Sequence, residues 1–445
     1  MIQNVQAHDE LAAPYAAHVD TWMRRVEAAL TACGYDALCV FAGDEITPPR
    51  DDVEYPYRIE PYFKLWVPID YAPGSALLLV PGRKPRLALV QPEDFWHAPP
   101  EDPSGFWTDR IDVTIVRDAG KTVDALGPLP PRTAAIRARS DDGRFAAVDD
   151  PALLARLDYA RAVKTDYEIA CLERASVRAV RGHRAVAAAF SAGTSELELE
   201  RRFLEATEHR EAELPYPAII AIDRHAAILH YQNRDRTAPG RANLLLIDAG
   251  AAFLGYGSDI TRTIVRDAPE IEALRDSIDT LQQTLCAELR AGVDFVALHR
   301  RAHELLAGVL REHRIVLCSA EEALEIGLTR IFLPHGLGHL LGLQVHDAGG
   351  RLASPDGEIR PPPESDPFLR LTRTVEPGFV LTIEPGVYFI PALLRTMAAP
   401  SRRRVNWDTV ERLLPFGGIR IEDDLLVQDA GSRNLTREAF AATAT

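Results

Sequence analysis

Over the first 160 residues, apolar positions switch repeatedly between a helical and an extended period. Thr21 to Cys33 carries apolar residues at helical spacing, and the turn Gly34-Tyr35-Asp36 leads into the short apolar run Ala37 to Phe41. Ala76 to Val80 and Leu87 to Val90 read as two more strands, separated by Pro81-Gly82 and a basic turn, and Val113 to Val116 and Thr133 to Ile136 as further ones. Such alternation predicts an α/β layer arrangement. No GxGxxG or GxxxxGKS loop follows any of these strands, so a phosphate-cradling turn is not expected here.

From about Thr165 the pattern becomes strongly helical, with Ile169, Leu172, Ala175, Val180 and Val186 on one broad face. Ser195 followed by Glu198 has the spacing of a capping box and predicts a second helix start. Strand-like runs come at Ala218 to Ile222 and Leu244 to Ile247, and two long amphipathic helices at about Pro269 to Arg290 and Phe295 to Glu312. The last hundred residues return to strands around Val380 to Ile383 and Ile419 to Val427. Gly349 to Asp366, rich in Pro and polar residues, reads as a long surface loop. The change of pattern places a domain boundary near residue 160, giving 1–160 and 161–445.

The chain has 445 residues, which suits two or three domains. A hydrophobic fraction of 47% supplies enough apolar material for large cores. The formal charge of −15 argues against nonspecific nucleic-acid binding, which needs Lys and Arg to displace counterions. Five scattered cysteines, none in a CxxC pair, fit a reduced protein. With no basic start followed by an apolar run, and no stretch of eighteen apolar residues, neither a membrane partner nor export is expected, and the expected location is cytoplasmic.

The candidate chemistry lies in the second region. Asp248 ends the run Leu-Leu-Leu-Ile, and Asp259 opens Asp-Ile-Thr-Arg-Thr. If the segment between them turns back, the two carboxylates face each other across an antiparallel pair. His335, His339 and His346 fall within twelve residues, among glycines that permit close backbone approach. Glu384 ends the apolar run Leu-Thr-Ile, and Arg420 and Glu422 alternate within Gly-Ile-Arg-Ile-Glu, which places them side by side on one face of a strand. Taken singly these residues are ordinary turn formers, core histidines or surface ion pairs. Together, Asp248, Asp259, His339, Glu384 and Glu422 supply four carboxylates and one imidazole. Like charges at ~4 Å cost about 4 kcal/mol per pair at an effective dielectric near 20. Such a group assembles only around cations or shared protons, and its oxygen-rich donors suit Mn²⁺ or a similar hard ion.

The motifs LLLIDAGA, SDITRTI, HGLGHLLGLQVHD, VLTIEPGVYF and PFGGIRIEDD, in this order, resemble those of the pita-bread metallopeptidases, and within them the bacterial Xaa-Pro dipeptidases. The amino-terminal third, with FKLWVP and EDFWH, resembles the N-domain of the same enzymes. The resemblance implies an N-terminal α/β domain followed by a pita-bread catalytic domain. It implies a dinuclear site with Asp248, Asp259, His339, Glu384 and Glu422 as ligands, Asp259 and Glu422 bridging, and Mn²⁺ as the expected ion, with Co²⁺ or Zn²⁺ as other options. It further implies a homodimer in which the N-domain borders the partner's site.

The expected reaction is hydrolysis of Xaa-Pro dipeptides by a hydroxide between the ions, with Glu384 passing a proton to the leaving nitrogen. That nitrogen is tertiary, so protonation avoids expelling an amide anion. His346 is expected to hydrogen-bond the substrate near the scissile carbonyl, and the resemblance places His335, with it among the catalytic residues, around the substrate. The resemblance places His230 and Arg370 around the substrate, Arg370 gripping the proline carboxylate with its planar fork. Arg420 is expected to steady Glu422, and Tyr216 and Trp96 to line the pocket. The competing enzymatic reading keeps the site and changes the substrate to a phosphotriester, as in organophosphorus acid anhydrolases. A metal-free creatinase-like hydrolase and a non-enzymatic binding module both conflict with the intact ligand set.

Overall fold

The computed structural model describes residues 8–95, 101–137, 143–191 and 193–443. It divides into two compact units: residues 1–171 with 352–359, and residues 172–351 with 360–445. The division falls inside the helix Asp166–Ser191.

The first unit is built on a six-stranded mixed sheet. In chain order its strands are β1 (Ala37–Phe41), β2 (Ala76–Leu79), β3 (Arg86–Val90), β4 (Asp112–Val116), β5 (Thr133–Ile136) and β6 (Ala147–Val148), arranged β4-β3-β2-β1-β5-β6. The apolar runs Ala-Leu-Cys-Val, Ala-Leu-Leu-Leu and Thr-Ala-Ala-Ile are buried along their lengths, as central strands covered on both faces require. Edge strand β4 alternates exposed and half-buried positions instead. The helix Ala12–Cys33 begins nine residues before the predicted Thr21 and stops at Gly34, whose φ of +79° forms the left-handed cap. Asp150 caps the helix Pro151–Arg161 through the N–H groups of Ala152 and Leu153.

The second unit carries two three-stranded antiparallel sheets and two short hairpin-like pairs. β7 (Ile219–Ile222), β8 (Leu244–Asp248) and β11 (Thr261–Val265) form one sheet in the order β11-β8-β7. β9 (Ala252–Phe253) and β10 (Tyr256–Gly257) pair in the connection between β8 and β11. β12 (Val380–Ile383), β15 (Asp423–Gln428) and β16 (Gly431–Asn434) form the second sheet, and β13 (Gly386–Tyr388) pairs with β14 (Gly418–Arg420). A bridge between Thr261 and Glu422 joins the two halves. Phe190, Phe203, Ile220, Leu245 and Ile247 fill the core behind the first sheet.

The helix Phe295–Glu312 has the predicted ends, and Pro269–Glu288 stops two residues early. At Ser195 only half of the expected capping box forms. The Ser195 hydroxyl accepts from the Glu198 N–H at 3.3 Å, but the Glu198 side chain turns to Arg202. The predicted strand over 419–427 is two strands, because the chain leaves regular pairing at Ile421 and Glu422. Residues 349–366 contain no helix or strand, only a bridge between Leu352 and Ile359. No helix among the described residues is long and apolar enough to cross a membrane.

Candidate metal centre

Five acidic and imidazole side chains reach the centre from strand ends. Asp248 closes β8, and its register partner on β11 is Thr261 rather than Asp259. Asp259 lies two residues before Thr261, so it is the diagonal neighbour of Asp248 on the same face. Glu384 follows β12. The segment His335–His339 runs against that strand, with Glu384 N–H bonded to Leu337 O (2.8 Å) and Thr382 N–H to His339 O (2.9 Å). A Cβ on Gly338 would lie 1.9 Å from Thr382 O. Only glycine permits that approach, which is the physical reason for the Gly-Leu-Gly spacing between the two histidines.

Asp259, His339 and Glu422 are all buried and bring ligand atoms within 4.8 Å of one another. His339 Nε2 stands 3.4 Å from Asp259 Oδ2 and 3.8 Å from Glu384 Oε1. Its Nδ1 lies 3.0 Å from Leu340 O and donates there, which turns Nε2 toward the acids. Burial lowers the His339 pKa, but Asp259 and Glu384 outweigh it and raise it above the ordinary value. Burial raises the Asp248 carboxyl above its ordinary value, with Arg420 and Tyr216 opposing the rise and Asp259 adding to it. Glu384 is pushed up to about 7, chiefly by burial. Glu422 is raised well above the carboxylate range by burial and then by Asp259, Glu384 and Asp248. These acids cannot all ionise in the protein alone. Four carboxylates and one imidazole fit hard divalent cations, which would supply the missing charge and take the place of the protons.

Arg420 behaves differently from the expectation. Its Nη2 donates to Asp248 Oδ2 (2.5 Å), its Nη1 to Tyr388 Oη (2.9 Å) and its Nε to Thr261 Oγ1 (3.2 Å). Glu422 is instead held by Thr261, whose hydroxyl donates to Oε2 at 2.6 Å. Arg420 and Glu422 still share a face, since Arg420 Nε and Glu422 Oε2 both meet the Thr261 hydroxyl. Tyr216, expected at the substrate, donates its hydroxyl to Asp248 Oδ1 (2.9 Å). Both side chains thus orient a candidate ligand.

His335 is locked in one tautomer. Nδ1 donates to Gly336 O and Nε2 accepts from the Tyr388 hydroxyl, each at 2.8 Å. Burial, then Arg420, holds its pKa down at about 3, so the ring stays neutral. His346 packs its ring nearly perpendicular to that of His339, centroids 4.5 Å apart. Burial, then His339 and Arg370, lowers its pKa to about 4, and His230 adds to the effect. His230 and Arg370 are themselves exposed. Trp96 lies outside the described residues. Sequence reasoning missed Tyr388 and Thr261. The signal for Thr261 is present, since Asp259, Thr261 and Thr263 alternate as buried polar residues along an otherwise apolar strand.

Residues 170–429 match metallopeptidase family M24, and residues 13–159 match the Xaa-Pro dipeptidase N-terminal domain. The chain belongs to metallopeptidase family M24, with an α/β N-terminal domain ahead of a pita-bread catalytic domain. It is 44% identical over 431 residues to the Xaa-Pro dipeptidase of Xanthomonas campestris pv. campestris (strain B100), covering 96% of this chain and 98% of that one. The Xaa-Pro dipeptidase of Stenotrophomonas maltophilia (strain R551-3) is 42% identical, at 96% and 97% coverage. Among solved structures, aminopeptidase PepP of Pseudomonas aeruginosa superposes with a TM-score of 0.72 at 22% identity, over 95% of each chain. Proline aminopeptidase P II from Yersinia pestis gives 0.68 at 25% identity, over 95% of this chain and 96% of that one.

Proposed function

We propose that this metallopeptidase hydrolyses Xaa-Pro dipeptides and releases proline. The observation that carries the reading is the buried group Asp259, His339 and Glu422, joined by Asp248 and Glu384, whose four carboxylates have Arg420 as their one guanidinium partner among the described residues. Near-full-length similarity to Xaa-Pro dipeptidases supplies the substrate class. Those five residues would hold two divalent ions, Asp259 and Glu422 between them, and the oxygen-rich set favours Mn²⁺. Bound there, the ions would lower the pKa of water and polarise the scissile carbonyl.

The chain's own groups do the rest. Glu384, with a pKa raised toward neutrality, takes a proton from the attacking water and delivers it to the tertiary proline nitrogen. His346, neutral and beside His339, hydrogen-bonds the substrate near the carbonyl. His335, fixed by Gly336 and Tyr388, presents a rigid wall on the opposite side of the pair. Arg370 grips the proline carboxylate and His230 closes the exposed end. We further propose a homodimer in which the N-terminal domain, set at residues 1–160, borders the partner's catalytic site.

The test is turnover of several dipeptides, with and without proline, in chelated enzyme reloaded with Mn²⁺, Co²⁺ or Zn²⁺. Release of proline that vanishes with chelator and returns with Mn²⁺ is the expected result. Equal turnover of proline-free dipeptides, or faster turnover of a phosphotriester, overturns the substrate assignment. Sedimentation should give twice the chain mass.

A further inference from the structure

His299 and His303 lie one turn apart on the buried face of the helix Phe295–Glu312, at 2% and 1% exposure. Their rings stand nearly perpendicular, centroids 4.7 Å apart. None of the four ring nitrogens makes a well-directed hydrogen bond among the described residues. Each neutral imidazole carries one N–H and one lone pair, and burial without partners leaves both unsatisfied. The two Nε2 atoms converge on Oδ1 of Asp366, at 3.4 and 3.8 Å. Those separations are long for hydrogen bonds. They are close to the ~3.3 Å between two ligand atoms that each sit about 2.0–2.1 Å from one tetrahedral zinc ion.

We propose that His299, His303 and Asp366 form a separate divalent-cation site, distinct from the acidic cage. Two imidazoles and one carboxylate make it nitrogen-rich, which selects Zn²⁺ over the harder ion favoured by the cage.

Arg330 is the competing cation. It donates from Nε to Oδ1 (2.7 Å) and from Nη2 to Oδ2 (3.1 Å), and the Ser365 hydroxyl also donates to Oδ2 (2.7 Å). The guanidinium is 33% exposed and can turn toward water, whereas the imidazoles cannot. His335 is the other ionisable group that feels both rings. An ion here would also tie the helix to the segment that carries Arg370. Asp366 O accepts from the Leu369 N–H at 3.1 Å, and the Phe368–Leu369 backbone packs against Gly336, next to His335.

The ion count is independent of the Xaa-Pro reading; only the kinetic arm rests on it. Full-length protein equilibrated with Mn²⁺ and Zn²⁺ should hold a third equivalent per chain, as zinc, by plasma emission. His303→Ala and Asp366→Asn should each lose that equivalent and keep the other two. Arg330→Gln should retain it and bind zinc more tightly. Diffraction from wild-type crystals at the zinc edge should place a peak among the three side chains, which decides the matter even if a variant fails to fold. Wild-type protein with no zinc at that point overturns the proposal, as does a His299→Ala/His303→Ala variant that keeps the third equivalent. Loss of the ion should raise KM for an Xaa-Pro dipeptide about fivefold with little change in kcat. Equal changes in both would overturn the tethering role.

Discussion

Glu422 and Asp423 are consecutive, buried and acidic, yet their surroundings are opposite. Asp423 receives Arg262 Nη2 at 2.6 Å, Arg437 Nε at 2.7 Å and Asn434 Nδ2 at 2.7 Å. Burial alone would raise its pKa, but the two guanidinium groups hold it below the ordinary carboxylate range. Glu422 receives one hydroxyl, from Thr261, and faces Asp259, Glu384 and Asp248. Successive strand residues point to opposite faces, so one residue of offset separates a structural ion network from the candidate metal cage. Where this protein needs a buried carboxylate for architecture, it provides the cation itself. Where it does not, the cation has to come from outside.

The largest effect expected from that contrast is on the cage side. Glu384→Gln should lower kcat by about 10²–10⁴-fold, the usual range for loss of a general acid–base group. Because Glu384 is also a proposed ligand, the rate is compared at ion concentrations that restore wild-type metal content, measured on the same preparation. A variant that keeps most of its rate with the ions bound would remove Glu384 from proton transfer. The effect belongs to kcat, because the variant takes away proton transfer rather than substrate contacts.

On the other side of the strand the expected loss is stability. Asp423→Asn leaves Arg262 and Arg437 facing a neutral amide, and breaking a buried pair in this way costs about 3–5 kcal/mol. Urea unfolding should register that loss, while the ion count is unchanged. If instead the ions are lost and stability is kept, the division between the two faces fails.

A third comparison sets pH against both. His183 is buried, with Nε2 bonded to Ala249 O at 2.9 Å, and burial lowers its pKa to about 3. The unfolded chain takes up that proton near 6.5, so between 6.5 and 3 the unfolded state binds more protons than the folded one. The stability from a neutral His183 is therefore complete above pH 6.5 and lost as pH falls. By pH 4.5 the loss is about 3 kcal/mol at 1.36 kcal/mol per unit. His183→Gln in chelated protein should flatten this part of the urea midpoint profile. A profile as steep as wild type would assign the acid sensitivity elsewhere.

Much of this was legible because Asp248, Glu384 and Glu422 end or interrupt apolar runs, where a charge is conspicuous. The sheet of the first unit was legible for a related reason: runs such as Ala37 to Phe41 are too short and too uniformly apolar for an amphipathic helix. Partner choice was not legible. The 420–422 spacing puts Arg420 and Glu422 on one face, where both meet Thr261, but it does not tell that the guanidinium also pairs with Asp248. Tyr216 carried no mark that its hydroxyl would meet Asp248, and Tyr388 looked like one more strand aromatic. His299 and His303 read only as part of an amphipathic helix, because Asp366 approaches from a loop sixty residues away in sequence. Periodicity reports which face is buried; it does not report which polar groups meet there.

The smallest expected effect is the most discriminating. Burial, then Asp259, Glu384 and Asp248, raises the Glu422 carboxyl well above the ordinary range and so favours its neutral form in metal-free protein, and Thr261 donates to one of its oxygens. A glutamine amide has the same shape and can accept that bond through its own oxygen. Glu422→Gln should therefore change the stability of chelated protein by less than about 1 kcal/mol. The response to ions should differ sharply. Wild-type protein gains about 2.7 kcal/mol at a free ion concentration of 100 times Kd, whereas the variant, short of a proposed bridging carboxylate, should gain much less. Thermal unfolding with and without Mn²⁺ gives both values. A large destabilisation of the chelated variant would mean that Glu422 is ionised and compensated within the protein, as Asp423 is, and the distinction between the two neighbours would be lost.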